Sequence, residues 1–183
     1  MTLRISGGLF RGRLIKTPKS ARTRPTTSML REAVFNICQE WIQGARFLDL
    51  FAGSGAMGIE AISRGATFTT FVENDHIASK CIRQNIELLE LESMTQLLCM
   101  DAFASLSKLL GPYDLIYIDP PYEKEAESML DEITRLQILA PGGLVFLEEQ
   151  FKRTSPAHIP KSFELVDQRR YGISRLLWYR FSV

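Results

Sequence analysis

A chain of 183 residues with 45% hydrophobic and 10% aromatic content can bury the core of one domain, which excludes disorder as a description of the whole. Three widely spaced cysteines and two distant histidines, His76 and His158, argue against a disulfide framework, a zinc site or a histidine triad and for a reducing, cytoplasmic setting. No apolar run approaches the roughly 18 residues of a membrane helix, and no apolar segment of the signal-peptide kind follows the charged start.

The net charge of +1 conceals an uneven division. Residues 1–31 carry eight basic and no acidic residues, leaving 14 basic against 21 acidic in the remainder. Such asymmetry suggests a polyanion-binding arm on an acidic body. A solvated surface or an Arg-rich transit peptide would show the same charge, but Gly7, Gly8, Pro18 and Pro25 interrupt the amphipathic helix that a transit peptide needs.

In chain order, residues 3–16 alternate loosely around Gly7 and Gly8 and predict a short hairpin or arm. Pro18 to Arg24 reads as an exposed basic loop. Leu30, Val34, Ile37 and Trp41 then recur at helical spacing behind Thr27 and Ser28, predicting a helix over 28–42 that packs on the main sheet. Residues 1–44 are thus an arm and helix, and 45–183 a catalytic core within a single domain.

From Arg46 strands alternate with helices, the pattern of a mostly parallel sheet covered on both faces. Strands are expected near 46–51, 68–73, 95–100, 113–119 and 143–149, and the clearest helix runs from Asp75 to about Leu89. Ala140 to Gly143 predicts a turn. Phe163–Arg170 and Ile173–Phe181, around Tyr171 and Gly172, predict an antiparallel hairpin that brings the Rossmann-like α/β sheet to seven strands.

Residues 49–58, DLFAGSGAMG, place Gly53, Gly55 and Gly58 between a strand and a helix, the spacing that lets backbone approach a nucleotide closely. Glu73, at the end of the next strand, can accept both hydroxyls of a ribose. A dinucleotide enzyme would show the same pattern. Asp49 separates the two, because its charge would repel a diphosphate and attract the ammonium and sulfonium of S-adenosylmethionine. Asp101 and Ala102, after the third strand, can bond the adenine amine and a ring nitrogen. Taken singly, Asp49 could equally cap a turn and Asp101 a helix.

Asp119, Pro120, Pro121 and Tyr122 follow the buried run Leu115–Ile118, at the fourth strand end. Asp119 and the neighbouring carbonyls offer acceptors for an amino group, the prolines fix the turn, and Tyr122 offers a flat face for stacking. A Pro-rich turn alone would read the same way.

These stretches resemble class I S-adenosylmethionine-dependent methyltransferases that act on amines. More narrowly the chain resembles the RsmD family, bacterial guanine-N2 methyltransferases of 16S ribosomal RNA. The likeness spans FRGR around Arg11 and Arg13, RPTTSMLREAVFN from Arg24 to Asn36, DLFAGSGAMGIEA, FVEND, DAF and DPPY. DPPY also occurs in DNA adenine-N6 and cytosine-N4 methyltransferases, whereas RPT followed by REAVFN is narrower; Ser28 stands where many relatives carry Asp. The resemblance implies S-adenosylmethionine as cofactor. It places Asp49, Phe51, Gly53, Gly55, Glu73, Asn74, Asp101 and Ala102 against it, and the guanine on Asp119 to Tyr122. It implies 16S rRNA on Arg11, Arg13, Arg24 and Arg31, presented in a partly or fully assembled small subunit, to a monomer without metal or membrane. Outside this class, a NAD(P)-dependent oxidoreductase and a silent RNA-binding module are the alternatives.

Overall fold

The computed structural model describes residues 2–18, 28–121, 123–151 and 159–182, with the backbone alone over 123–127. The arm forms a two-stranded antiparallel sheet of β1 (Thr2–Arg4) and β2 (Leu14–Lys16). Helix α1 (Ser28–Ile37) follows. The core then alternates β3 (Arg46–Leu50), α2 (Ala56–Ser63), β4 (Phe68–Val72), α3 (His76–Leu89), β5 (Thr95–Leu98), α4 (Ala102–Ser105), β6 (Tyr113–Ile118), α5 (Glu123–Arg135) and β7 (Leu139–Gln150). It closes on β8 (Phe163–Tyr171) and β9 (Ser174–Phe181). The seven-stranded sheet has the order β5-β4-β3-β6-β7-β9-β8; the pairs from β5 through β7 are parallel, and β9 runs antiparallel between β7 and β8.

Period-two alternation sorts the strand residues onto two faces. Leu48, Leu50, Ile116, Ile118, Val145, Leu147, Leu177 and Tyr179 turn to the side of α5 and pack with Met129, Leu130 and Ile133. Phe47, Leu115, Tyr117, Leu144, Phe146, Leu176 and Trp178 turn to the side of α1 and pack with Leu30, Val34, Phe35 and Cys38. Helix α1 has no acidic residue in its first turn and no basic residue in its last, so it rests on this burial. Each such apolar side chain contributes about 1.5–3 kcal/mol.

Two predicted boundaries move. The helix expected over 28–42 ends at Ile37, and the chain continues as a separate turn in which the N–H groups of Trp41 and Ile42 both donate to the Cys38 carbonyl at 2.9 and 3.0 Å. The turn expected at Ala140–Gly143 lies inside β7 instead, where Tyr113 pairs with Leu139 before a register shift resumes the ladder at Leu115 and Leu144. Arg24, Tyr122 and most of the basic loop lie outside the described residues.

Candidate active site

Carboxylates gather at the carboxyl ends of the parallel strands. Glu73 follows β4 directly, Asp119 follows β6 directly, and Asp101 stands three residues after β5. The register aligns Val72, Leu50 and Ile118 across three strands, so Glu73 and Asp119 flank the start of the glycine turn on one edge, separated only by β3. At about 4.8 Å per strand, their backbones lie roughly 10 Å apart.

The glycine turn is built on left-handed backbone. Phe51 (φ 62°), Gly53 (φ 56°) and Gly55 (φ 77°) all lie there, and a non-glycine residue in that region carries strain of the kind found beside ligands. Gly58 is needed for proximity: a Cβ there would stand 2.2 Å from the Phe71 ring, so α2 presses directly on β4. Asn85 of α3 ties the turn down further. Its Nδ2 donates to the Ser54 carbonyl at 3.1 Å and to the Lys16 carbonyl at 2.9 Å, while its Oδ1 accepts the Lys16 N–H at 2.8 Å.

Glu73 is 8% exposed and held by two backbone donors, the Gly53 N–H at 2.7 Å on Oε2 and the Asp75 N–H at 2.8 Å on Oε1. Each oxygen keeps lone-pair capacity for a hydroxyl. Asp49 differs from its expected placement. It lies within β3 rather than at the strand mouth, is 1% exposed, and accepts the Gly58 N–H at 2.9 Å. Its side chain therefore fastens the turn to the strand. Burial pushes its pKa up to about 7 against the hydrogen bond from Gly58, and the nearby Glu73 charge adds to the rise. Asp101 also caps: its Oδ1 accepts the Ala104 N–H at 2.9 Å, with the rest of the carboxylate exposed, Ala102 buried beside it and Asn74 exposed.

Beyond the end of β6, Asp119 and Pro120 are half-buried and Pro121 is exposed. Of the basic residues, Arg11 and Arg13 are exposed in the arm. Arg31 corrects the expectation of a phosphate contact. It is 1% exposed, donates Nη2 to the Arg4 carbonyl at 2.9 Å, and pairs through Nε with Glu60 at 3.2 Å. Glu60, at 0% exposure on α2, also accepts Ser6 N–H, Ser6 Oγ, Gly7 N–H and Arg64 Nε. Burial alone would raise its pKa. The Ser6 bonds and the Arg64 and Arg31 guanidinium groups hold it below the usual carboxylate range instead. Glu60 and Asn85 are thus the fasteners of the arm, and sequence reasoning missed both. The available signal was a lone acid in an otherwise apolar helix, AMGIEAIS.

Among the described residues no cluster of acids, histidines or cysteines could hold a metal, and no helix is long and apolar enough to cross a membrane. Acceptors dominate the cofactor side. Glu73, joined by Asp49 as that carboxyl ionises near pH 7, makes a negative edge beneath the turn that opposes a diphosphate and suits a cationic ligand with a ribose. Sheet order, glycine turn and this electrostatic sign define a class I S-adenosylmethionine-dependent methyltransferase, and the residues present fit that cofactor.

Residues 3–180 match the family described as Conserved hypothetical protein 95, and the chain belongs to it. It is 33% identical over 174 residues to the Escherichia coli K12 protein named ribosomal RNA small subunit methyltransferase D, covering 93% of this chain and 85% of that one. It is 34% identical over 184 residues to a Bacillus subtilis protein provisionally named as an rRNA methyltransferase, covering 97% and 98%. A solved Escherichia coli structure provisionally described as the methyltransferase yhhF superposes with a TM-score of 0.90 at 28% identity, covering 100% of this chain and 99% of that one.

Proposed function

We propose that the protein methylates the exocyclic N2 amine of a guanine in 16S rRNA, acting as a monomer on a partly or fully assembled small subunit in the cytoplasm. The observation that carries the reading is the position of Asp119 and Pro120 one strand from Glu73, at the carboxyl edge where a cofactor over the glycine turn meets a base. The names of the curated relatives supply the rRNA.

When bound, S-adenosylmethionine supplies a methyl on a sulfonium that is already a good leaving group. Glu73 would hold the ribose, Asp101 and Ala102 the adenine, and Asp49 with Glu73 the field favouring the cation. An aryl amine has its lone pair drawn into the ring. Asp119 and the Pro120 carbonyl accept one of its two N–H bonds and turn the nitrogen toward the methyl, so positioning rather than a strong base supplies the acceleration. The base must be unpaired or flipped out to reach this edge, with Tyr122 stacking on it and Arg11, Arg13 and Arg24 on nearby phosphates.

The test is methyl transfer to small subunits from cells lacking the enzyme, followed by mass spectrometry of the nucleosides. N2-methylguanosine is the expected product. Methyl on adenine or cytosine would redirect the reading to the DNA-type amine enzymes, and tight NAD(H) binding without S-adenosylmethionine binding would end it.

A further inference from the structure

The strands that carry the cofactor residues, β3, β4 and β5, all lie on one side of β6. A base whose amine sits on Asp119 has β7 as the neighbouring strand on its other side. The residue there is Glu148. Register pairs Ile118 with Leu147, which sets Glu148 beside Asp119 as the next residue of its strand. Alternation places it on the face of Leu144 and Phe146, the face on which Leu115 and Tyr117 of β6 pack.

Glu148 is 8% exposed, and the Tyr117 hydroxyl donates to its Oε2 at 2.5 Å. Among the described residues it forms no ion pair; the adjacent Arg175 is committed to Glu149 instead. A carboxylate so far buried with one neutral donor is unfavourable for folding alone. It has, however, the complement of one base edge. Guanine presents N1–H and N2–H side by side, two donors that a carboxylate accepts together, whereas adenine places the N1 acceptor beside its amine.

Resting on the proposed guanine reading, we propose that Glu148, held in place by Tyr117, accepts the N1–H and N2–H edge of the target base and selects guanine. Asp119 holds the amine for transfer. Glu148 fixes the ring beyond it.

The test compares the unaltered enzyme with Glu148→Gln and Tyr117→Phe on reconstituted small subunits carrying either guanine or 2-aminopurine at the position the unaltered enzyme methylates. 2-Aminopurine keeps the amine but has an N1 acceptor. The unaltered enzyme should prefer guanine by tenfold or more, on the order expected when a buried polar group is left unmatched. Glu148→Gln, which can donate to that acceptor, should lower transfer to guanine about 100-fold and shrink the preference at least about tenfold, with S-adenosylmethionine affinity unchanged within about twofold. Tyr117→Phe keeps the carboxylate and should reduce the preference severalfold, so the proposal stays testable if Glu148→Gln does not fold. A guanine preference that is the same in all three enzymes overturns the proposal while leaving the functional reading intact. If the unaltered enzyme makes no N2-methylguanosine, the functional reading falls, and this assignment with it.

Discussion

Asp49 and Glu60 are buried carboxylates at opposite ends of the same short stretch of chain, and their environments push them in opposite directions. Glu60 collects two guanidinium groups and three donors from the arm, and sits below the usual carboxylate range. Asp49 has one backbone donor and a like charge nearby, and is raised to about 7. The first is a closed structural junction. The second has no ion-pair partner among the described residues and lies beneath the glycine turn, where the proposed function puts a cationic cofactor. Charge compensation, rather than burial, separates the two acids: Glu60 is paired with guanidinium groups, and Asp49 is held by a backbone donor alone.

The comparison breaks most visibly at Glu60. Glu60→Ala leaves the Arg31 guanidinium buried without its partner and should cost about 3–5 kcal/mol in denaturant unfolding. A loss under about 1 kcal/mol would mean that the junction is not closed as described.

At Asp49 the sign is opposite. Its folded pKa lies above the ordinary 3.8, so the native state retains a proton that the unfolded chain releases between pH 4 and 7. Stability should therefore fall as pH rises through that window, by up to about 4 kcal/mol, and level off above pH 7. Asp49→Asn keeps an acceptor for Gly58 and should flatten the slope. Equal slopes in the two proteins would remove Asp49 as its source.

The same residue sharpens the ligand side. A bound cation favours the ionised carboxylate, so S-adenosylmethionine affinity should rise up to about tenfold from pH 6 to 8 with proton release, seen by calorimetry in buffers of different ionisation enthalpy. In Asp49→Asn this dependence should vanish. Smallest is the effect at the arm: reversing Arg11 and Arg13 should weaken RNA binding and flatten its salt dependence, by about 0.9 in slope for each phosphate that the arm ceases to neutralise. Reversing Arg31 should act on stability instead.

Much of this was legible in the sequence because it is local. Asp75 caps α3 as its position predicts, accepting the Ala78 N–H at 2.8 Å, and the five parallel strands fall where apolar runs end in polar turns. What escaped is directional. Sequence gives Arg31 a charge but not the inward face of α1 that delivers it to Glu60, 29 residues on. Asp49, flanked by Leu48 and Leu50, shows the same limit: a strand residue one pleat inside the mouth is as acidic as one at it, and only register with Phe71 and Tyr117 places it beneath the turn. The start of β7 reads as a turn because glycines and a proline signal one, while pairing with β6 keeps that segment in the sheet.

Central to the proposed function is the separation of a cofactor half, over β3 to β5, from an amine-holding half that begins at Asp119. The most direct measurement is labelled methyl transfer by Asp119→Ala alongside calorimetry with S-adenosylmethionine. Transfer should fall by about a thousandfold or more with cofactor affinity within about twofold of the unaltered enzyme. Transfer at the unaltered rate, or cofactor binding abolished together with it, would contradict that division.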